Sequence, residues 1–214
     1  MTRGAELDQS RVTVLLDVRH PLAYLALGPA IALGVSEGIE INWLPLATPP
    51  LHAPSIPAAN DDRGIRHRRA RATAIAREIE VYAAAQGLVV REYYRNAEAG
   101  AAHLGSLWVR DRHPEQHVPY LRESFRAYWA LELDASSTRA VAALLDRMDA
   151  DGSGFLAWAT GDGPGEAAAL EDALRNYGLF GVPAYIVEDE VFYGRQHLPM
   201  IRWILRGRSG PGPI

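Results

Sequence analysis

The chain has 214 residues, 48% of them hydrophobic and 22% charged, so it is long enough for one substantial core. A formal net charge of -4 gives no field that would attract nucleic acid or an anionic membrane, which favours small-molecule chemistry. Because the sequence contains neither cysteine nor lysine, its side chains supply no disulfide, thiolate metal site, cysteine nucleophile or Schiff base.

The first elements predict a β-α-β unit. Alternating β-branched residues over 12–18 predict a strand buried on both faces. Proline is favoured in the first helical turn, so we expect His20 to precede a helix from Pro21 to about Leu33, with a kink at Pro29. Residues 39–46 alternate again and predict a second strand.

The middle of the chain is predicted to be helical. Residues 45–57 contain five prolines and indicate an extended loop. Beyond it, apolar residues recur at helical spacing over 75–82, 118–128 and 141–148. Asp162-Gly163-Pro164 then opens another helix, whose inward residues are predicted to be Leu170, Leu174 and Tyr177.

The C-terminal part predicts a hairpin and a last helix. Strands are expected at 184–187 and 191–193, joined by 188–190, before an apolar helical pattern over 198–205. The tail is rich in Gly and Pro and is expected to be flexible. We therefore predict one domain built from 12–50 and 160–206, a helical insertion over 60–158, and a tail over 207–214.

Two segments carry a family resemblance. The run from Leu16 to Leu25, with Asp17 and His20-Pro21 in its turn, is similar to the strand and active-site turn of DsbA-type proteins. Gly181-Val182-Pro183 and the hairpin after it resemble the same family, particularly 2-hydroxychromene-2-carboxylate isomerases and kappa-class glutathione transferases. The resemblance implies an α/β, thioredoxin-like fold: a central mixed sheet, β-α-β then β-β-α, with a large all-helical insertion.

The active turn of this family carries the chemistry. Disulfide-exchanging members have Cys-Pro-x-Cys where this chain has His20-Pro21-Leu22-Ala23, so disulfide exchange is excluded on chemical grounds. The serine of the isomerases aligns with His20. Backbone N–H groups and the helix dipole disfavour a second proton there, so we expect a neutral imidazole that acts as base, donor or nucleophile. The alternative is that His20 only caps the helix.

The resemblance also implies a set of binding residues. It predicts a cis Val182-Pro183 bond that exposes the backbone of Val182 beside His20 for an extended ligand. Asn96 falls near a cleft asparagine of the family, with a solvated loop residue as the alternative. Gln196 replaces an acidic residue that meets the glutathione amino group, which argues against glutathione. The predicted substrate- or thiol-binding residues are Pro21, Leu22, Tyr24, Asn96, Trp129, Val182, Pro183, Arg195 and Gln196.

Three functions remain open at this stage. The leading hypothesis is a cis–trans isomerase of conjugated carbonyl compounds, either aromatic catabolites or polyketide and cinnamoyl intermediates, free or carrier-bound. The alternatives are a catalytically silent ligand-binding protein and a glutathione transferase. Glutathione or another low-molecular-weight thiol is the candidate cofactor, and a homodimer is a candidate assembly, because members of this family often dimerise.

Two other sequence features bear on ligands and location. The basic stretch 63–77 is expected to be a solvated face, with one or two arginines available to a carboxylate or phosphate. His113 and His117 flank Pro114, and no metal site is predicted. No apolar run approaches the ~20 residues that span a bilayer, which predicts a cytoplasmic protein with no membrane or nucleic-acid partner.

Overall fold

A computed structural model describes residues 11–213. Short 3₁₀ turns precede two of the helices, at Pro114–Gln116 and Arg195–His197. The elements in chain order are β1 (Val12–Leu16), α1 (Pro21–Glu37), β2 (Ile41–Pro45), α2 (Arg63–Gln86), α3 (Gly100–Arg112), α4 (His117–Trp129), α5 (Thr138–Asp146), α6 (Gly152–Thr160), α7 (Gly163–Asn176), β3 (Ala184–Val187), β4 (Glu190–Tyr193) and α8 (Leu198–Leu205).

The sheet has the strand order β2-β1-β3-β4. β2 runs parallel to β1, whereas β3 pairs antiparallel with β1 and β4 antiparallel with β3. Every residue of β1 is buried, since the strand has a neighbouring strand on each side and its apolar side chains belong to the main hydrophobic core. The predicted α/β architecture, with a mixed sheet interrupted by a helical insertion, is confirmed.

α1 is about one turn longer than predicted. It passes through Gly34 and ends at Glu37, where Gly38 adopts the left-handed conformation with φ of 63° and closes the helix. Pro29 lies inside the helix and has no N–H for the carbonyl of Leu25. The side chain of Gln86, at the end of α2, donates to that carbonyl at 3.1 Å. This hydrogen bond ties α2 to α1 where proline leaves an acceptor open.

The sequence pattern did not predict α3 and α6. In α3 the buried face consists largely of small residues, so the apolar periodicity that reveals a helix is weak. Small residues permit close packing: a Cβ at Gly105 would overlap the hydroxyl of Tyr120 in α4. That hydroxyl donates to the carbonyl of Ala102 at 2.8 Å. α3 is therefore held tightly against α4, and this contact fixes the residues that α3 presents to the end of the sheet.

The C-terminal segments differ from prediction in one side chain. Leu174 is buried as expected, but Tyr177 is 40% exposed, because it lies after the last residue of α7 and leaves the inward face. After α8, Arg208 forms an ion pair with Glu188 at 2.7 Å. No helix between residues 11 and 213 is both long and apolar enough to cross a membrane.

Candidate functional site

The connection from β1 to α1, Asp17–His20, forms a tight turn at the carboxyl end of the central strand. The backbone N–H of His20 donates to the carbonyl of Asp17 at 2.9 Å, and the carbonyl of His20 accepts from Ala23 and Tyr24. The backbone of His20 thus begins the helix. Its imidazole makes no capping hydrogen bond to the described residues, so the capping role is carried by the main chain alone.

The imidazole of His20 is half-buried, and one of its ring nitrogens lacks a hydrogen-bond partner. Its Nδ1 atom is buried and has no hydrogen-bond partner within residues 11–213. Burial lowers the pKa of His20 below its usual value; the negative charge of Asp17 opposes this shift and the positive charge of Arg19 adds to it. Burial therefore favours the expected neutral imidazole near pH 7.

Asp17 lies three residues earlier and is fully buried within a hydrogen-bond network. Its two carboxylate oxygens accept from Arg19, from the backbone and hydroxyl of Thr48, and from Nε2 of His103. Burial raises the pKa of Asp17, but the hydrogen bonds and charges of His103 and Arg19 outweigh this and hold it far below its usual range. The carboxylate is ionised and anchors the turn.

The Val182-Pro183 peptide bond is cis, as the resemblance implies. The register of β1 and β3 pairs Leu15 with Ala184, which places Pro183 beside the end of β1. The cis-proline segment and the β1–α1 turn therefore lie at the same end of the sheet, although they are far apart in sequence. The carbonyl of Pro183 accepts from the N–H of Gly194 at 2.9 Å, and Val182 is 9% exposed.

Further polar side-chain atoms in and near the core are buried without partners. They belong to Tyr128, Trp129 and Tyr185, whose O–H and N–H groups reach no acceptor in the part of the chain that is described. Burial raises the pKa of Tyr128, the positive charge of Arg95, whose guanidinium carbon lies 3.7 Å from the ring centre, lowers it, and the charges of Asp17 and Arg19 also act on it. The Tyr128 hydroxyl is thus a neutral donor close to the turn. Unpaired buried donors cost free energy, so each calls for an explanation such as a bound water or a functional role.

Two of the predicted cleft residues belong to the core. Trp129 is completely buried, and Tyr24 is 6% exposed and stacks on Phe125 with 5.6 Å between ring centroids. Pro21 is buried and Leu22 is half-buried against a small apolar cluster of Leu25, Ile79 and Ala83. These residues shape the rear of the turn instead of forming an open apolar surface.

The remaining predicted binding residues are exposed or engaged by the chain itself. Asn96 is an exposed loop residue, which matches the alternative given for it. Arg195 lies 3.3 Å above the ring of Tyr82 and donates to Glu78 at 2.8 Å. Gln196 donates to the carbonyl of Tyr193 at 2.9 Å. The loop that holds Asn96 reaches the turn through Ala97, whose carbonyl accepts a hydrogen bond from Arg19 at 3.5 Å.

The basic stretch on α2 is largely a solvated face. Arg66 and Arg69 bond to residues of the preceding loop, with Asp61 as the charged partner of Arg69, and Arg77 pairs with Glu80 at 3.4 Å. No group of three His, Asp or Glu side chains suitable for a metal ion occurs in the described residues.

Sequence reasoning missed Thr48 and His103 and assigned no role to Asp17. A carboxylate at the end of a buried strand was the available signal, because a buried charge requires partners. His103 also borders two cavities: a water-sized one of about 20 Å³ and an open cleft of about 330 Å³. A third, a groove of about 830 Å³, follows β2. His20 lines none of these three cavities.

Comparison with known proteins places this geometry in context. The family model described as DSBA-like thioredoxin domain matches residues 14–206. Among curated protein sequences, none matches the chain.

Solved structures share the fold at low sequence identity. A 2-hydroxychromene-2-carboxylate isomerase superposes with a TM-score of 0.69 at 19% identity, covering 92% of this chain and 94% of that one. A probable DsbA oxidoreductase from Streptomyces coelicolor gives 0.67 at 18% identity, covering 96% and 94%. The cytosolic disulfide reductase DsbM from Pseudomonas aeruginosa, solved with GSH, gives 0.58 at 14% identity, covering 92% and 98%.

Proposed function

Since this chain belongs to the DSBA-like thioredoxin domain family, we propose that it is a cis–trans isomerase of conjugated carbonyl compounds that acts through His20. The observation that carries the proposal is the buried Nδ1 of His20, which has no hydrogen-bond partner in residues 11–213 and belongs to an imidazole held neutral by desolvation. It lies in the turn where other family members place their reactive group. A chain without cysteine cannot perform dithiol–disulfide exchange.

Isomerisation requires a temporary single bond. A nitrogen lone pair of His20 adds to the β-carbon of an enone, and the electrons of the carbon–carbon double bond move onto the carbonyl oxygen as an enolate. Rotation about the new single bond follows. Collapse of the enolate re-forms the double bond and expels the imidazole, so no atom or electron is gained or lost. In the alternative route a low-molecular-weight thiol adds to the same carbon and His20 accepts its proton.

The buried donors complete this chemistry. An enolate oxygen needs O–H or N–H groups that are already oriented, and the Tyr128 hydroxyl, buried near the turn, is such a group. The cis-proline segment at the same end of the sheet offers the backbone of Val182 to an extended ligand. A conjugated chain lying along this backbone would have its β-carbon presented to His20.

One observation favours a second candidate, a catalytically silent ligand-binding protein. Trp129 and Tyr24 are packed in the core, and none of the three cavities is lined by His20. The glutathione transferase alternative has weaker support, because Gln196 supplies no carboxylate and donates to the chain's own backbone. Removal of a charge-assisted hydrogen bond of this kind costs roughly 1.5–3 kcal/mol of binding.

The test compares wild type with His20→Ala. The probes are 2-hydroxychromene-2-carboxylate and a (Z)-cinnamoyl thioester, each assayed with and without glutathione and followed by the absorbance of the conjugated product. Wild type is expected to turn over at least one probe, and His20→Ala to lose about 100-fold or more in rate, as is usual when an acid–base or nucleophilic group is removed. The matched control is His67→Ala, an exposed histidine of α2.

The outcomes separate the candidates. Equal rates for wild type and His20→Ala would remove His20 from the chemistry. Binding of a probe without turnover, with or without thiol, would favour the ligand-binding protein. Turnover that depends strictly on glutathione would assign addition to the thiol and proton transfer to His20.

A further inference from the structure

The guanidinium of Arg95 is a half-buried cation that no carboxylate neutralises within residues 11–213. One of its Nη atoms donates to the carbonyl of Tyr128 at 2.6 Å, and its Nε atom is buried without a hydrogen-bond partner in those residues. A shielded charge without an opposite charge costs free energy. The other half-buried arginines of the described chain each pair with a carboxylate: Arg19, Arg69, Arg110 and Arg195.

Two aromatic rings hold the Arg95 guanidinium in place. Its central carbon lies 3.7 Å from the ring centre of Tyr128 and 5.9 Å from that of Trp129. The two rings meet edge to face, with 5.1 Å between their centres. Attraction to a ring orients a cation but does not cancel its charge. Arg95 is therefore fixed in position while its positive charge and its Nε–H group remain available.

The groups around this cation supply hydrogen-bond donors. The Nε–H of Arg95, the O–H of Tyr128 and the Nε1–H of Trp129 are all buried, and none has an acceptor among the described residues. Tyr128 and Trp129 are 1% and 0% exposed. Burial raises the pKa of Tyr128 and the charge of Arg95 only opposes this shift, so the hydroxyl keeps its proton and can donate. The matching ligand group is an ionised oxygen, which accepts from several donors and carries the opposite charge.

The cluster lies beside the β1–α1 turn and next to solvent. The charges of Asp17 and Arg19 both act on the Tyr128 hydroxyl, which places it near that turn. These two charges offset each other, because they form an ion pair at 2.9 Å. The residue after Arg95, Asn96, is exposed, so the segment that carries the guanidinium is open to a ligand.

We propose that Arg95, Tyr128 and Trp129 form a subsite that binds an anionic oxygen of the ligand, with the Arg95 guanidinium as its counter-charge. Two sources share this chemistry: a carboxylate carried by the bound molecule, and the enolate formed in the proposed isomerisation. The enolate source rests on the proposed function, whereas the carboxylate source does not.

The carboxylate source is tested with 4-fluorocinnamate and its neutral amide, 4-fluorocinnamamide, titrated into the full chain and followed by ¹⁹F NMR at pH 7. The two probes share the ring and the conjugated chain, but only the acid is charged. Wild type is expected to bind the acid at least tenfold more tightly, as one charge-assisted hydrogen bond provides. Arg95→Met should abolish that preference.

The chain offers a matched control and a second variant. Arg91 is an exposed arginine of the same segment, and its side chain donates to the carbonyl of Ala130, so Arg91→Met should keep the preference for the acid. Tyr128→Phe removes only a hydroxyl that has no partner in residues 11–213 and leaves the Arg95 cation in place. This variant should weaken binding of the acid about threefold to tenfold and leave the amide unchanged.

The enolate source is tested with the (Z)-cinnamoyl thioester, which has no carboxylate. Because the enolate exists only after addition, Arg95→Met should lower kcat at least tenfold with little change in KM. Loss of the acid preference with an unchanged rate assigns the subsite to a carboxylate, and the reverse pattern assigns it to the enolate. The proposal is overturned if Arg95→Met changes neither quantity, or if wild type shows neither a preference for the acid nor turnover. An acid preference without turnover would contradict the isomerase alone.

Discussion

Asp17 and His20 lie three residues apart in one turn, yet their surroundings are opposite. The Asp17 carboxylate accepts hydrogen bonds from three side chains and from the backbone. The buried Nδ1 of His20 has no partner in the described part of the chain, and neither does the neighbouring Tyr128 hydroxyl. A buried polar group whose hydrogen bonds are made contributes to stability. A buried polar group without a partner costs stability and remains available to a ligand. The same turn thus combines an anchor with the group that we propose to be reactive.

The largest expected effect tests the anchor. In Asp17→Asn the charge is lost while Arg19 and His103 remain, so buried donors lose their ionic acceptor. Removing one partner of a buried ion pair typically destabilises a protein by about 3–5 kcal/mol. Urea unfolding at pH 7 measures the change, and Asp172→Asn, at an exposed position of α7, is the control, with about 0.5 kcal/mol or less expected. A loss below 1 kcal/mol in Asp17→Asn would show that the network is not an anchor.

A second prediction compares His117, a buried histidine with a hydrogen-bond partner, with His20, whose buried ring nitrogen lacks one. In the helical insertion, Nε2 of His117 lies 3.0 Å from Oγ of Ser106, and both residues are buried. Burial lowers the pKa of His117 to about 4. An unfolded histidine has a pKa of about 6.5, so between these values the unfolded chain binds more protons and stability falls as the pH falls.

We expect up to about 3 kcal/mol of stability to be lost between pH 7 and pH 4 through this one group. Urea unfolding at several pH values in that window gives the slope. The slope should flatten in His117→Gln and persist in His67→Gln, an exposed position. An unchanged slope in His117→Gln would mean that other groups, with His20 the next candidate, carry the pH dependence, since burial lowers the pKa of His20 as well.

The contrast between Asp17 and His20 was only partly predictable from the sequence. The start of a helix at His20-Pro21 and the succession of strands and helices followed from local patterns, whereas the cis bond before Pro183 was implied by the family resemblance. The partners of Asp17 could not be predicted in this way. Thr48 lies in the segment after β2, and His103 lies in α3, a helix whose small buried residues give little periodicity. Long-range polar contacts leave no spacing to recognise.

Side-chain exposure was the other limit. Trp129 and Tyr24 are large and apolar, and the sequence gives the same signal for a cleft wall as for a core; their burial depends on how α4 packs against α1 and the sheet. The sequence showed that Gln196 replaces a carboxylate common in the family. It did not show that the Gln196 side chain donates a hydrogen bond to the carbonyl of Tyr193. The residue types at the site were therefore readable from the sequence, whereas the burial of its large side chains was not.

The smallest expected effect comes from comparing two tyrosines on the same helix, α4. Tyr120 and Tyr128 are each 1% exposed in α4, but only the Tyr120 hydroxyl has an acceptor among residues 11–213, the carbonyl of Ala102. Tyr120→Phe should cost about 1 kcal/mol, the net value of one hydrogen bond, whereas Tyr128→Phe should cost nothing or stabilise, because an unpaired buried hydroxyl is removed. Urea unfolding resolves the difference. If both variants lose the same free energy, the Tyr128 hydroxyl is satisfied in solution, and the case that this side of the turn is held ready for a ligand fails.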